Sequence, residues 1–202
     1  MNDIHNINTE KQKAMTVKKT GASARIISKP KAIVATVLTN NGGALTKGDT
    51  YIFEHILKDS TKFSQDDPDK QTIENEVSDT PIKEVVTVGA YNFETTVEDI
   101  QPDIVCAMCG FVANEGNTKI YAPSGYKEVY AEIAVVLDGG DGKLVAQIAP
   151  KVQLNSKLIL ESLSSSVAGF TLAGSAQNTS VQDGSKTYDT PFFIDYNYTM
   201  PV

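Results

Sequence analysis

Apolar and polar residues alternate most regularly in the segment 126–176, and the rest of the chain is read around it. Val129, Ala131, Ile133, Val135 and Leu137 occupy every second position, with Tyr130, Glu132 and Ala134 between them. Side chains alternate faces along a strand, so this period of two predicts a strand with one buried face. Asp138-Gly139-Gly140-Asp141-Gly142 follows and suits a hairpin turn, since its residues tolerate positive φ. Leu144, Ala146 and Ile148 resume the alternation on a return strand. Segments 157–163 and 168–176 predict two further strands, which completes a four-strand C-terminal block.

Upstream, residues 1–24 mix polar and charged side chains without a period and read as an arm. Segment 24–39 holds strand-like pieces interrupted by Pro30, whose missing N–H places it at an edge or a start. Asn40-Asn41-Gly42-Gly43 predicts a turn. Segment 50–58 fits a strand with Tyr51, Phe53 and His55 on one face, or a short helix; the strand is preferred. The acidic, Pro-punctuated segment 59–79 reads as a long loop. Strands are expected at 81–89 and 91–97, with Val86, Val88 and Phe93 contributing to the core. One helix is predicted at about 99–110. Asp99 or Gln101 serves as N-cap, Pro102 and Asp103 suit the first turn, and Gly110 ends it. Its apolar positions Ile104, Val105, Met108 and Phe111 would pack on the sheet. Turns are expected at 115–117 and 122–125, a polar loop at 177–186 and a last aromatic strand at 188–198. The fold class is therefore mainly β: a sandwich or barrel-like domain over 25–202, with one flanking helix, a long acidic loop at 59–79 and an N-terminal arm over 1–24.

Composition agrees with this outline. A chain of 202 residues that is 41% hydrophobic and 21% charged suits one globular domain with arms. Trp is absent. The longest nearly apolar run, 104–113, is about half of what a membrane-spanning helix needs. The polar first residues lack the apolar core of a signal peptide, so the product is expected to stay in the cytoplasm. The sequons at Asn178 and Asn197 then carry no weight. Charge is uneven: residues 1–31 hold seven Lys or Arg against two acids, and the remainder holds eleven against twenty-three, for a net of −7. An acidic body argues against wrapping nucleic acid. A basic arm on an acidic body suits docking onto a neighbouring copy, or simple solvation.

Reactive chemistry is sparse. Cys106-Ala107-Met108-Cys109 is formally a C-x-x-C pair, but helix precedes Cys106 and the flanks are apolar, so two buried thiols are the expected reading. A zinc site would need His5 and His55, neither at finger-like spacing. Asp66, Asp67, Asp69, Glu74 and Glu76 do not match a calcium-loop pattern. Gly139–Lys143 lacks the phosphate-loop pattern and the helix that must follow it. No nucleophile–base pair is assembled, so no catalytic, cofactor or metal residue is assigned and an enzyme is not expected. Tyr188, Phe192, Phe193, Tyr196 and Tyr198 suit core and interface packing better than a sugar-binding face.

The order of arm, strands, long loop, strands, one helix and a strand-rich C-terminal block resembles the tail tube (major tail) proteins of tailed bacteriophages. The resemblance is carried by TVGAYNFETTVEDIQPDIVCAMCGF (Thr87–Phe111), by the block from Val129 to Ala176 and by TPFFIDYNY (Thr190–Tyr198). It is one of element order and texture. It implies a β-sandwich or barrel-like fold whose subunits form rings, usually hexameric, that stack into a hollow tube for DNA ejection. Its partners would be further copies of itself, tape-measure and tail-terminator proteins, and DNA passing without specific binding; no membrane is involved. It would reside in the virion tail after assembly in the host cytoplasm. The 59–79 loop and the 1–24 arm would make ring-to-ring contacts, and an acidic lumen would repel phosphate. Glu132, Lys157 and Glu161 are expected as exposed positions on a subunit seam. The alternatives are another β-rich virion component, such as a head decoration or tail-completion protein, or the tube of a phage-tail-like injection system. A sugar- or surface-binding β-sandwich module and a thiol enzyme are more distant rivals.

Overall fold

The computed structural model describes residues 28–41, 44–75, 78–98, 100–125, 127–140, 142–159 and 169–201. The 1–24 arm, Glu76, Asp99 and Glu161 lie outside the described residues. Strands are β1 (Ser28–Asn41), β2 (Ala44–Phe53), β3 (Lys62–Gln65), β4 (Asp69–Asn75), β5 (Ser78–Thr87) and β6 (Tyr91–Val97). Helix α1 (Pro102–Cys109) is followed by the two-residue strands β7 (Val112–Ala113) and β8 (Ile120–Tyr121). Then come β9 (Val129–Asp138), β10 (Leu144–Leu154), β11 (Lys157–Ile159), β12 (Gly169–Ala176), β13 (Thr179–Asp183), β14 (Lys186–Thr190) and β15 (Phe193–Tyr198). The protein is thus mainly β with one short helix among the described residues.

The main sheet is antiparallel and runs β2-β1-β9-β10-β12-β6-β3, with β11 joined to β12 and β15 to β10. The β9–β10 hairpin is as its sequence predicts. Gly139 N–H donates to Lys143 O at 3.0 Å, and Asp138 Oδ1 accepts from Gly140 N–H at 2.9 Å. Pro30 sits at the start of β1, where the pairing with β9 shifts register. On β10 the register with β9 shifts between Ala149 and Val152, across Pro150, which has no N–H to donate. That bulge divides the far edge of β10 between two strands. Its first half pairs with β15 (Ala146↔Asp195) and its last three residues pair with β12 (Val152↔Ala176).

The sheet curls around the larger core. Phe53 on β2 meets Phe170 on β12 edge to face, with ring centroids 5.8 Å apart, although the two strands are well separated along the sheet. The segment after β2 reaches β6 through the Ile56–Val97 bridge and the Leu57 N–H to Thr96 O bond of 2.9 Å. One bridge does not close a barrel, and the architecture is a strongly curved, sandwich-like sheet. Ile33, Ala35, Phe93, Ala131, Ile133, Val152 and Leu172 fill the inside together with Ile104 and Met108 of α1. Helix α1 starts three residues later than the expected 99–110, at Pro102, and Gln101 makes no side-chain cap bond. It ends at Gly110, whose φ of 73° is the left-handed conformation that glycine adopts without strain.

The alternation in 129–137 predicts one buried face, and the structure buries two. Ala134 and Val136 join Ala32, Val34, Ala146 and Ile148 in a second cluster on the opposite face. Phe193, Tyr198 and Met200 cover that cluster, so the C-terminal segment supplies the second layer.

Three expectations are corrected. Val86 and Val88 are 55% and 67% exposed and take no part in the core, because β4 and β5 pair only with each other as a ribbon. Segment 59–79 is not irregular throughout: it holds β3, β4 and the first residues of β5. The expected loop over 177–186 and strand over 188–198 are instead a hairpin, β13–β14, followed by β15, with Pro191 at the break.

Close backbone approach fixes one residue on the β10–β12 seam. A Cβ at Gly174 would lie 2.4 Å from the carbonyl oxygen of Gln153 and 2.7 Å from Val152 Cγ1. The nearer atom is backbone and has no rotamer to escape into. Gly174→Ala is expected to lower stability by about 2–3 kcal/mol, as overpacking does, measured by urea unfolding. An unchanged midpoint would mean that the seam is looser than described.

Candidate assembly surfaces

Cys106 and Cys109 lie one turn apart inside α1, not at its first residues where the helix dipole would favour a thiolate. Cys109 packs on the larger core, and burial pushes its thiol up to about 12, with Cys106 adding to the effect. The Cys106 thiol is also raised, first by burial and then by Asp103, against an opposing pull from Lys127. Both groups therefore favour the neutral thiol at neutral pH, which is the reverse of what a redox pair requires. A thiol whose folded pKa lies above its unfolded value is stabilising below the unfolded value and loses that contribution as pH rises through the folded one. Stability is expected to fall as pH is raised from about 9 towards 12. The loss should be smaller in Cys109→Ala, measured by urea midpoints across that range. Disulfide-reagent labelling of native Cys109 at pH 8 should be far slower than after denaturation; equal rates would contradict its burial.

Other sequence leads dissolve into structure. Asp66 accepts two hydrogen bonds from Asn92 Nδ2, at 3.1 and 3.0 Å. Among the described residues no three His, Cys, Asp or Glu side chains gather as a metal site. His55 is exposed. Glu132 is only partly exposed and is held by Lys47 Nζ at 2.8 Å, across β1. Charge reversal there would disturb the sheet face as well as any seam, so Glu132 is not the free surface position expected of it. Lys157 is exposed as expected.

What the surface does offer is apolar side chains on slender elements. The β4–β5 ribbon carries Val86, and Val88 lies just past the end of β5. Val85, between Glu84 and Val86 on the same strand, is half-buried. At the far end of the chain, Tyr188 of β14 and Ile194 and Tyr196 of β15 are 49%, 38% and 50% exposed and line one cleft. Phe192, by contrast, is packed: its ring lies 5.2 Å from that of Phe63 and 4.8 Å from that of Tyr91. The terminal aromatics thus divide between core and surface. Sequence reasoning misses the cleft because it takes 188–198 as one strand; the Asp183-Gly184 pair, a hairpin-turn signal, could have revealed it. Exposed apolar groups collected in this way mark contact surfaces more often than catalytic ones. No helix among the described residues is long and apolar enough to cross a membrane.

No protein-family model matches the chain, and no curated protein is significantly similar to it in sequence.

Proposed function

We propose that this chain is a self-assembling structural protein of the tail-tube type. Copies join edge to edge into rings, and rings stack into a hollow tube through which DNA passes without being specifically bound. The tube belongs to a virion tail, assembled in the host cytoplasm alongside tape-measure and terminator proteins.

The observation that carries this proposal is the β4–β5 ribbon, a self-paired pair of strands with exposed Val86, and Val88 at its end, in a chain whose main sheet is strongly curved and antiparallel. A ribbon that pairs with no other described strand of its own subunit has an edge to give to another. The acidic remainder of the chain, eleven basic residues against twenty-three acidic, supports the proposal because it would not adhere to phosphate.

Sedimentation velocity over a range of concentrations tests the proposal. Species at ring size and above should grow in at the expense of the 21.8 kDa monomer. A monomer at every concentration would contradict it, and single closed rings that never stack would point instead to a tail-completion component.

A further inference from the structure

The cleft between the β13–β14 hairpin and β15 is lined by Val181, Asp183, Tyr188, Ile194, Asp195 and Tyr196 among others, and no Lys or Arg lines it. It combines apolar and aromatic side chains with two carboxylates, Asp183 and Asp195, and so suits a segment that is basic and carries apolar side chains. The chain supplies one. Residues 11–19, KQKAMTVKK, place Lys11, Lys13, Lys18 and Lys19 on either side of Met15 and Val17, with no acid among them.

The distance is also right. Ser28, where β1 begins, pairs with Asp138; Asp138 pairs with Leu144; and Leu144 pairs with Tyr198 of β15. Three strand spacings therefore separate the start of β1 from β15, about 14 Å. An extended chain covers about 3.3 Å per residue, so some five residues cross that gap. The stretch between Lys19 and Ser28 is longer than this and leaves slack to reach across the cleft.

We infer that in the free subunit residues 11–19 dock onto this cleft of their own chain. Met15 and Val17 cover Tyr188, Ile194 and Tyr196, and the flanking lysines face Asp183 and Asp195. The docked segment shields an apolar patch that would otherwise meet solvent or another subunit. This inference stands on charge, reach and exposure, and does not depend on the tube proposal.

Zero-length carbodiimide cross-linking of dilute full chain, mixed equally with nitrogen-15-labelled full chain, tests it. Cross-links from Lys11, Lys13, Lys18 or Lys19 to Asp183 or Asp195 should join residues of one isotopic copy. Cross-links only between labelled and unlabelled copies would overturn the inference, as would lysine cross-links confined to other carboxylates. A second measurement guards against low cross-linking yield: nitration of Tyr188 and Tyr196, read by mass spectrometry. It should run about fivefold faster in the full-chain variant K11E/K13E/K18E/K19E than in the natural chain, the scale that a few exposed ion pairs supply. It should also quicken in the natural chain at about 1 M salt, where screening acts within about 3 Å. Nitration that is equal in both chains and indifferent to salt would overturn the docking.

Discussion

The double substitution V86K/V88K is expected to abolish self-assembly while moving the melting temperature by no more than about 2 °C, the scale of an ordinary surface change in a chain this long. Both valines are more than half exposed, Val86 within β5 and Val88 one residue past its end. Covering such side chains in a contact would remove apolar area from water, at roughly 25 cal/mol per Å². Two lysines would replace that gain with the cost of desolvating two ammonium groups. β4 and β5 pair with no other described strand that the lysines could disturb. Sedimentation velocity and a thermal melt on the same samples separate the two effects. Assembly equal to that of the natural chain would remove the ribbon from the interface. A collapse in melting temperature would mean instead that the valines are packed.

The largest loss of stability from one side chain is expected at Phe170. It is fully buried, stands edge-on to Phe53, and sits on β12 where that strand pairs with Val97 of β6 and Leu158 of β11. Truncation to alanine removes a benzyl group's burial and leaves a cavity bounded by sheet on several sides, at a cost of about 3–5 kcal/mol. A further ~1 kcal/mol goes with the aromatic pair. Domains of this kind are stable by only about 5–15 kcal/mol, so F170A should unfold at a much lower urea concentration, with its m-value unchanged. A loss below about 1 kcal/mol would show that the curled sheet does not close on Phe170 as described.

How far the fold could be read from the residues depends on where each segment lies. The β9–β10 hairpin is legible because an alternating apolar pattern meets a glycine-rich turn. Its second buried face is present in the same residues: Ile133–Leu137 is an unbroken apolar run, the mark of a strand covered on both sides. What covers it, Phe193 and Tyr198, comes from some 60 residues away in sequence, which no local pattern specifies. The helix is legible through Pro102 and Gly110, although its first turn is shorter than its polar leader suggests. Of the β4–β5 ribbon, β5 is legible as a strand, expected at 81–89 and found at Ser78–Thr87, whereas β4 is not. Apart from Ile73 the sequence of β4 is polar, so it has no period of two to detect, and beside the backbone pairing the ribbon holds only an exposed Lys70–Glu84 ion pair of 3.6 Å among its described residues. Val86 and Val88 are misplaced because their local sequence looks like a core strand, while β4 and β5 pair only with each other. The exposed cleft at β13–β15 needs the break at Pro191 to be read as a corner between strands.

Negative-stain electron microscopy of the concentrated protein tests the proposed function most directly. Stacked rings with a stain-filled channel, lost in V86K/V88K, are the expected result. A field of separate particles of monomer size at every concentration would contradict it.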